Sequence, residues 1–329
     1  MSQEETLGSL QRLVEASLGR WDIPADASAR LLNISENATY LVEAPGGFRS
    51  ILRVHRENYH SRNAIASELA WSHALGKEGG VETPGYFLGR DGSPIQTGIV
   101  EGLPAPRHMV MFEFLPGHEP APDHDLVAPF RQLGEIAARA HLHSCSWQRP
   151  PGFERMTWDE STVFGPKPTW GNWRDGPNID AAIGARLERL EATVQRRLRR
   201  FGKGPDRYGL IHADMRLANL LVHENRPRLI DFDDCGFGWF LYDFATGVSF
   251  MEDHPQVPAL KQSWVEGYRT VRALSSEEEA EIDTFVMLRR MALLAWIGSH
   301  PEVEIARELA PVYAEGTARL AEAYFDTHE

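Results

Sequence analysis

The dominant spacing at which apolar residues recur shifts near residue 117 of this 329-residue chain, and that shift limits the folds open to it. Before it come short runs of strand character: ARLLNIS (29–35), ATYLVEA (38–44), FRSILRVH (48–55), GYFLGRDGSPIQTGIVEG (85–102) and RHMVMFEFLPG (107–117). The PGG at 45–47 and the Asp91-Gly92 pair separate them as turns. Two stretches in the same third carry the helical period, 5–20 and SRNAIASELAWSHALGK (61–77), the second with Ser61 as its N-cap. Beyond residue 117 the helical period governs 123–145, 180–201, 240–251, 256–274, 276–298 and 302–326. The expected class is α+β, with a small β-rich lobe over 1–115 and a larger, mainly helical lobe over 116–329.

Charge narrows the partners. Basic residues number 34 against 47 acidic ones, a formal net charge of −13. Nucleic acid and anionic membranes draw on basic surface, so neither is expected, while a cationic or neutral small molecule is compatible. No apolar run approaches a membrane span and the N-terminal MSQEETLGSL has no apolar core, so a cytoplasmic protein is expected. Cys145 and Cys235 stand far apart and in no metal-ligand spacing. His141 and His143, two apart on a helix, do not share a face, which argues against zinc. No GxxxxGK[ST] loop occurs, and GFG at 236–238 is not a dinucleotide fingerprint.

The helical part is interrupted by a hairpin with polar ends. LIHADMRLANLLV (210–222) is followed by ENR, PRLI and DFDD. Two short apolar strands around a tight turn put Asn219, before the first strand, opposite Asp231, after the second. Asp214 lies five residues before Asn219 and reaches the same rim. Each of the three alone could cap a turn. Together they supply the oxygen ligands that suit Mg²⁺ with phosphates and water in its shell.

This pattern resembles the protein-kinase-like phosphotransferases. His212-Ala213-Asp214 with Asn219 is similar to their catalytic loop, LIDFDD to their metal-binding strand end, and LYDFA (241–245) to a motif of the aminoglycoside phosphotransferases. In the first lobe ENATYLV resembles the nucleotide loop, ILRVHR the third strand, SELAW the lobe helix and FEFLPG the hinge; GEIAARAHLH resembles the helix opening the second lobe. The likeness runs from about residue 30 to 250, nearest to the homoserine-kinase-like and stress-response-kinase-like branch. It implies a bilobal kinase fold with ATP between the lobes and transfer of the γ-phosphate to a hydroxyl of a small molecule, homoserine, another amino alcohol or an aminoglycoside. A protein Ser/Thr kinase and a nucleotide-binding regulator without catalysis are the alternatives.

The roles implied by the resemblance are these. Asp214 accepts or orients the acceptor's proton, and Arg216 contacts phosphate. Asn219 and Asp231 hold Mg²⁺. Asn37, Arg53, Glu68 and Glu113 serve ATP. His212 organises the loop and Asp243 braces it. One position departs from the family: the third-strand lysine is replaced by Arg53, and none of the four lysines lies on that strand. An arginine fork can still bind phosphate and a carboxylate together, with Glu68 as partner. Finally, 146–177 is long for an irregular connection. Its Trp147, Trp158, Trp170 and Trp173 either cover a substrate or plug the segment onto the helical lobe.

Overall fold

A computed structural model describes residues 3–34, 37–120, 125–224 and 226–328. Ser35 and Glu36 of the first strand and nucleotide loop, positions 123 and 124 of the helix expected from 123, and Asn225 of the hairpin turn lie outside the described residues. Chain contacts divide into two compact units. The first comprises Met1–Lys77, Glu82–Gly117 and Arg149–Glu154, and the second Glu78–Val81, His118–Gln148 and Arg155–Glu329. No helix among the described residues is long and apolar enough to cross a membrane.

The first unit is an antiparallel sheet with one helix on each face. Helix α1 (Gln3–Ser17) precedes β1 (Ser28–Ile34), β2 (Ala38–Glu43) and β3 (Arg49–Val54); α2 (Arg62–Glu78), β4 (Gln96–Gly98) and β5 (Arg107–Glu113) follow. The strand order is β1-β2-β3-β5-β4. Alternation along each strand sorts its side chains between the two faces. Leu52, Val54, Met109 and Met111 pack with Leu10, Leu13 and Val14 of α1. Val110 and Phe112 pack on the other face with Ile65 and Leu69 of α2. Ser61 caps α2 by accepting from the Ala64 N–H at 3.0 Å. Residues 85–102 form less strand than their pattern predicts: β4 plus single bridges at Tyr86 and Gly89. Pro84 and Pro94 offer no N–H to a ladder, and the Asp91 carboxylate turns the chain by accepting from the Ser93 N–H at 2.9 Å.

The second unit is helical around small sheets. It contains α3 (Val127–Ser146), β6 (Met156–Trp158), α4 (Glu160–Phe164), α5 (Ala181–Phe201) and β7 (Tyr208–Ile211). Next come the hairpin β8 (Leu220–His223) and β9 (Arg226–Leu229), then β10 (Gly236–Trp239) and α6 (Tyr242–Gly247). Helices α7 (Val257–Arg269), α8 (Ser276–Glu279), α9 (Ile282–Ser299), α10 (Glu304–Leu309) and α11 (Tyr313–His328) complete it. Strand β10 runs parallel to β6 and antiparallel to β7. Helices α3 and α7 cross with backbones nearly touching: a Cβ at Gly134 would meet the Trp264 carbonyl, and one at Gly267 the Arg131 carbonyl, at about 2 Å. Two predicted helices are broken. The stretch 276–298 divides at Ala280–Glu281: the Ser275–Glu278 capping box starts α8, the Glu281 N–H then turns back to the Glu278 carbonyl at 3.0 Å, and α9 begins after Glu281. The stretch 302–326 divides where Pro311 cannot donate to a helical ladder.

Candidate active site

The polar constellation of the second unit is assembled around the end of β7. His212 is buried among neighbours, stacking edge-on with Phe232, and its Nε2 donates to the Ile230 carbonyl at 3.0 Å. Its Nδ1 accepts from the Asp214 N–H at 3.3 Å. Both ring nitrogens are thereby committed to backbone, so His212 shapes the loop. Ala213 next to it takes a left-handed conformation with φ of 63°. For a residue with a Cβ this costs about 1–2 kcal/mol. Two hydrogen bonds to a carboxylate offset it: Asp243 Oδ1 accepts from the Ala213 N–H at 2.7 Å and Oδ2 from the His212 N–H at 3.2 Å. Bonds to a charged group are worth about 1.5–3 kcal/mol each, so the brace wins over the strain. Thr246 Oγ1 adds a bond from the Met215 N–H at 2.9 Å. Both Asp243 and Thr246 belong to α6, so this short helix fixes the loop.

Asp214 stands at the loop's apex with its side chain 13% exposed. Its carboxylate accepts from Arg216 Nε at 3.0 and 3.2 Å, from Asn219 Nδ2 at 2.8 Å and from Arg289 Nη2 at 3.1 Å. Burial pushes this carboxyl up, but the Arg216 and Arg289 guanidiniums overrule it and hold it below the ordinary carboxylate value. Asp214 is therefore ionised at neutral pH. Asn219 Nδ2 also donates to the Asp214 carbonyl at 2.8 Å, which fixes the amide. The Ile230 N–H donates to the Asn219 carbonyl at 3.0 Å, extending the β8–β9 pairing and bringing Asp231 to the rim beside Asn219. Asp231 is exposed and left-handed, with φ of 59°.

These residues suit a magnesium ion. The amide nitrogen of Asn219 is committed to Asp214, which leaves its oxygen for a ligand role, and Asp231 adds an exposed carboxylate. Both are hard oxygen donors. Among the described residues no three His, Cys, Asp or Glu side chains cluster as a metal cage. A metal held by one carboxylate and one amide takes the remaining oxygens from nucleotide phosphates and water.

In the first unit, Arg53 and Glu68 meet. Arg53 Nη2 lies 2.8 Å from Glu68 Oε1, with the two side chains 8% and 1% exposed. The guanidinium also sits 4.7 Å over the Phe112 ring. Asn37 Oδ1 accepts from the Arg56 N–H at 3.0 Å, at the end of the β2–β3 pair. Glu113 is exposed at the end of β5, its carboxylate over Gly85, whose carbonyl accepts the Glu113 N–H at 2.8 Å.

Sequence reasoning missed Arg289. It lies on α9, 75 positions beyond Asp214, and is 2% exposed. The signal was the pair Arg289-Arg290 inside the apolar run VMLRRMALLAWIG, since a buried guanidinium needs an acid. It also missed Arg155, whose Nε donates to the Cys235 carbonyl at 2.6 Å and whose Nη2 donates to that of Asp233, tying down the loop after Asp231.

The long segment divides. Ser61 and Asn63 of the α2 start and Ser67 within it bond Gly152 and Glu154, so 149–154 belongs with the first unit. In the second unit Trp158 Nε1 donates to the Asp234 carbonyl and Trp173 Nε1 to Glu191, both at 2.8 Å. Trp158, Trp170 and Trp173 are buried, while Trp147 is half-buried and stacks on His143. Trp173 is a core residue; Trp170 lies against Arg289.

A model described as the phosphotransferase enzyme family, APH, matches residues 29–275. An amicoumacin kinase of Bacillus subtilis (strain 168) is 24% identical over 253 residues, which are 74% of this chain and 72% of that protein. A solved structure of a microcompartment-associated aminopropanol kinase is 45% identical with a TM-score of 0.88, covering 96% of this chain and 97% of that one. An amicoumacin kinase solved with AMP-PNP, Ca²⁺ and Ami is 20% identical with a TM-score of 0.75, covering 97% and 94%, a likeness of fold.

Proposed function

Because the chain belongs to the phosphotransferase enzyme family, and so is an ATP- and divalent-metal-dependent kinase of an alcohol group, we propose that its acceptor is a short amino alcohol. The observation carrying this reading is the 45% identity, over 96% of the chain, with an aminopropanol kinase. The acidic balance of −13 favours a cationic acceptor. Dependence on ATP supports a cytoplasmic location.

In this reading Asp214 orients the acceptor hydroxyl and takes its proton. An ionised carboxylate that accepts bonds from two arginines and an asparagine is a weak base. Phosphoryl transfer through a loose transition state needs alignment of the hydroxyl more than early removal of its proton, so weakness is no obstacle. Asn219 and Asp231 hold magnesium, which when bound neutralises charge on the phosphate oxygens. Arg216, with its side chain 37% exposed, has the freedom to leave Asp214 for a phosphate. In the first unit Arg53, oriented by Glu68, takes α- and β-phosphate oxygens, with Asn37 and Glu113 beside the nucleotide.

The test is ATP consumption with magnesium against amino alcohols, sugars, aminoglycosides and generic protein substrates. A phosphorylated aminopropanol or a close homologue is expected. Asp214→Asn should lower kcat about 10²- to 10⁴-fold while calorimetry shows ATP–Mg²⁺ binding intact. Transfer to protein alone would overturn the acceptor assignment.

A further inference from the structure

Within the long segment 146–177, two adjacent residues are fastened to two different parts of the nucleotide machinery. Glu154 is fastened to α2 in the first unit. Its N–H donates to the Ser67 hydroxyl at 2.9 Å, and its carboxylate accepts from the Ser61 hydroxyl at 3.1 Å and from Asn63 Nδ2 at 3.0 Å. Asn63 Nδ2 also donates to the Gly152 carbonyl at 2.6 Å. Ser67 is buried and directly precedes Glu68, the partner of Arg53, while Asn63 and Glu154 are exposed.

Arg155 is fastened to the loop after Asp231 in the second unit. It is 7% exposed, with Nε donating to the Cys235 carbonyl at 2.6 Å and Nη2 to the Asp233 carbonyl. Trp158 Nε1 donates to the carbonyl between them, that of Asp234, at 2.8 Å. Two side chains thus hold three consecutive carbonyls, and from Met156 and Gly236 onward β6 pairs with β10. The Cys235 N–H closes the same turn by donating to the Phe232 carbonyl at 3.0 Å. This loop is the return from Asp231, whose left-handed backbone is strained and persists only where its surroundings fix it. Water ordinarily satisfies loop carbonyls. Burying a guanidinium to hold them is the costlier solution, and it makes the shape of the loop depend on where Arg155 stands.

We propose that residues 152–158 are a strap in which Arg155 positions Asp231 for magnesium and Glu154 moors Arg155 to the helix that carries Glu68. The strap rests on the reading above that gives magnesium to Asp231 and Asn219 and phosphate to Arg53 and Glu68. Each set of bonds lies inside its own unit, and the Glu154–Arg155 peptide bond joins the two sets. Adjacent Cα atoms stand about 3.8 Å apart across a trans peptide, so the only slack is one ψ, one φ and the arginine side chain. A shift of α2 with its Glu68 therefore reaches the loop after Asp231 through the main chain. Grip on phosphate and grip on magnesium become coupled, and the coupling is reciprocal.

The experiment titrates Mg²⁺ calorimetrically into protein with saturating AMP-PNP, which needs no acceptor. Asp231→Ala is the reference and should weaken Mg²⁺ binding tenfold or more. Arg155→Met should weaken it about tenfold, and Arg155→Lys less, because an ammonium keeps some of the carbonyl bonds. The exposed variants Asn63→Ala and Glu154→Ala should each weaken it about threefold, within the range of mutations that modulate coupling. On the Arg155→Met background Asn63→Ala should add nothing, because the strap is already cut at its metal end. If Arg155→Met does not fold, Arg155→Lys takes its place in that cycle. Unchanged Mg²⁺ affinity in Asn63→Ala and Glu154→Ala, or full additivity of Asn63→Ala with the Arg155 variant, overturns the strap alone. Unchanged Mg²⁺ affinity in Asp231→Ala overturns the metal assignment and the strap with it. The acceptor assignment is untouched by either result.

Discussion

His141 shows how a buried residue outside the reactive group can set its stability. Its Nε2 donates to Asp243 Oδ2 at 2.9 Å and its Nδ1 accepts from the Tyr268 hydroxyl at 3.0 Å. Asp243 in turn holds the strained backbone at Ala213. Burial lowers the His141 pKa below its ordinary 6.5, outweighing the opposing pull of Asp243, so the folded protein keeps the ring neutral. The unfolded chain protonates it near 6.5, so His141's share of stability is present above that pH and is lost as pH falls toward the lowered folded value. One such group contributes a slope of up to about 1.4 kcal/mol per pH unit. His141→Gln should therefore flatten the pH dependence of urea unfolding between pH 5 and 6.5; an unchanged slope would remove His141 from that role. At this scale the sequence was informative where partners are close along the chain. Asp214 and Asn219, five apart, could be paired from spacing, whereas Arg289 could not, because its partner is 75 positions away and on another element.

At the scale of elements, alternation in β3 and helical period in α2 bring Arg53 and Glu68 together from 15 positions apart. The strand pattern ILRVH put Arg53 on the face of Ile51, and that face is the one α2 covers. If this pair anchors phosphate, Arg53→Ala and Glu68→Ala should impair the same step. Their double mutant should cost less than the sum of the singles by about 0.5–3 kcal/mol in kcat/KM for ATP. Strict additivity, or unchanged ATP affinity and turnover in Arg53→Ala, would exclude the pair. Arg53→Lys keeps the charge and loses the fork, so partial activity is expected. Element boundaries were less legible. The α8–α9 break is a local tightening at Ala280–Glu281 that helical period does not register, and the loss of strand over 85–102 rests on prolines that pattern matching passed over.

For the whole molecule, the acidic excess of −13 has one kinetic consequence. A cationic acceptor is drawn by a field that salt screens, with a Debye length of about 10 Å at 0.1 M and 3 Å at 1 M. The KM for an amino alcohol should rise between these concentrations, and that for a neutral diol much less; equal responses would show that charge does not guide the acceptor. By itself the sequence determined what short-range chemistry can encode. It separated strand-rich from helical regions by period and set Asp214, Asn219 and Asp231 around one hairpin as candidate catalytic and metal-binding residues. Only the tertiary structure decided the rest. It gave 149–154 to the first unit and Trp173 to a core, and it brought Arg289 to Asp214. The physical reason is that periodicity and spacing report which face of an element is buried, but not which distant element buries it. A guanidinium inside an apolar helix announces that an acid must exist, and only packing says which one.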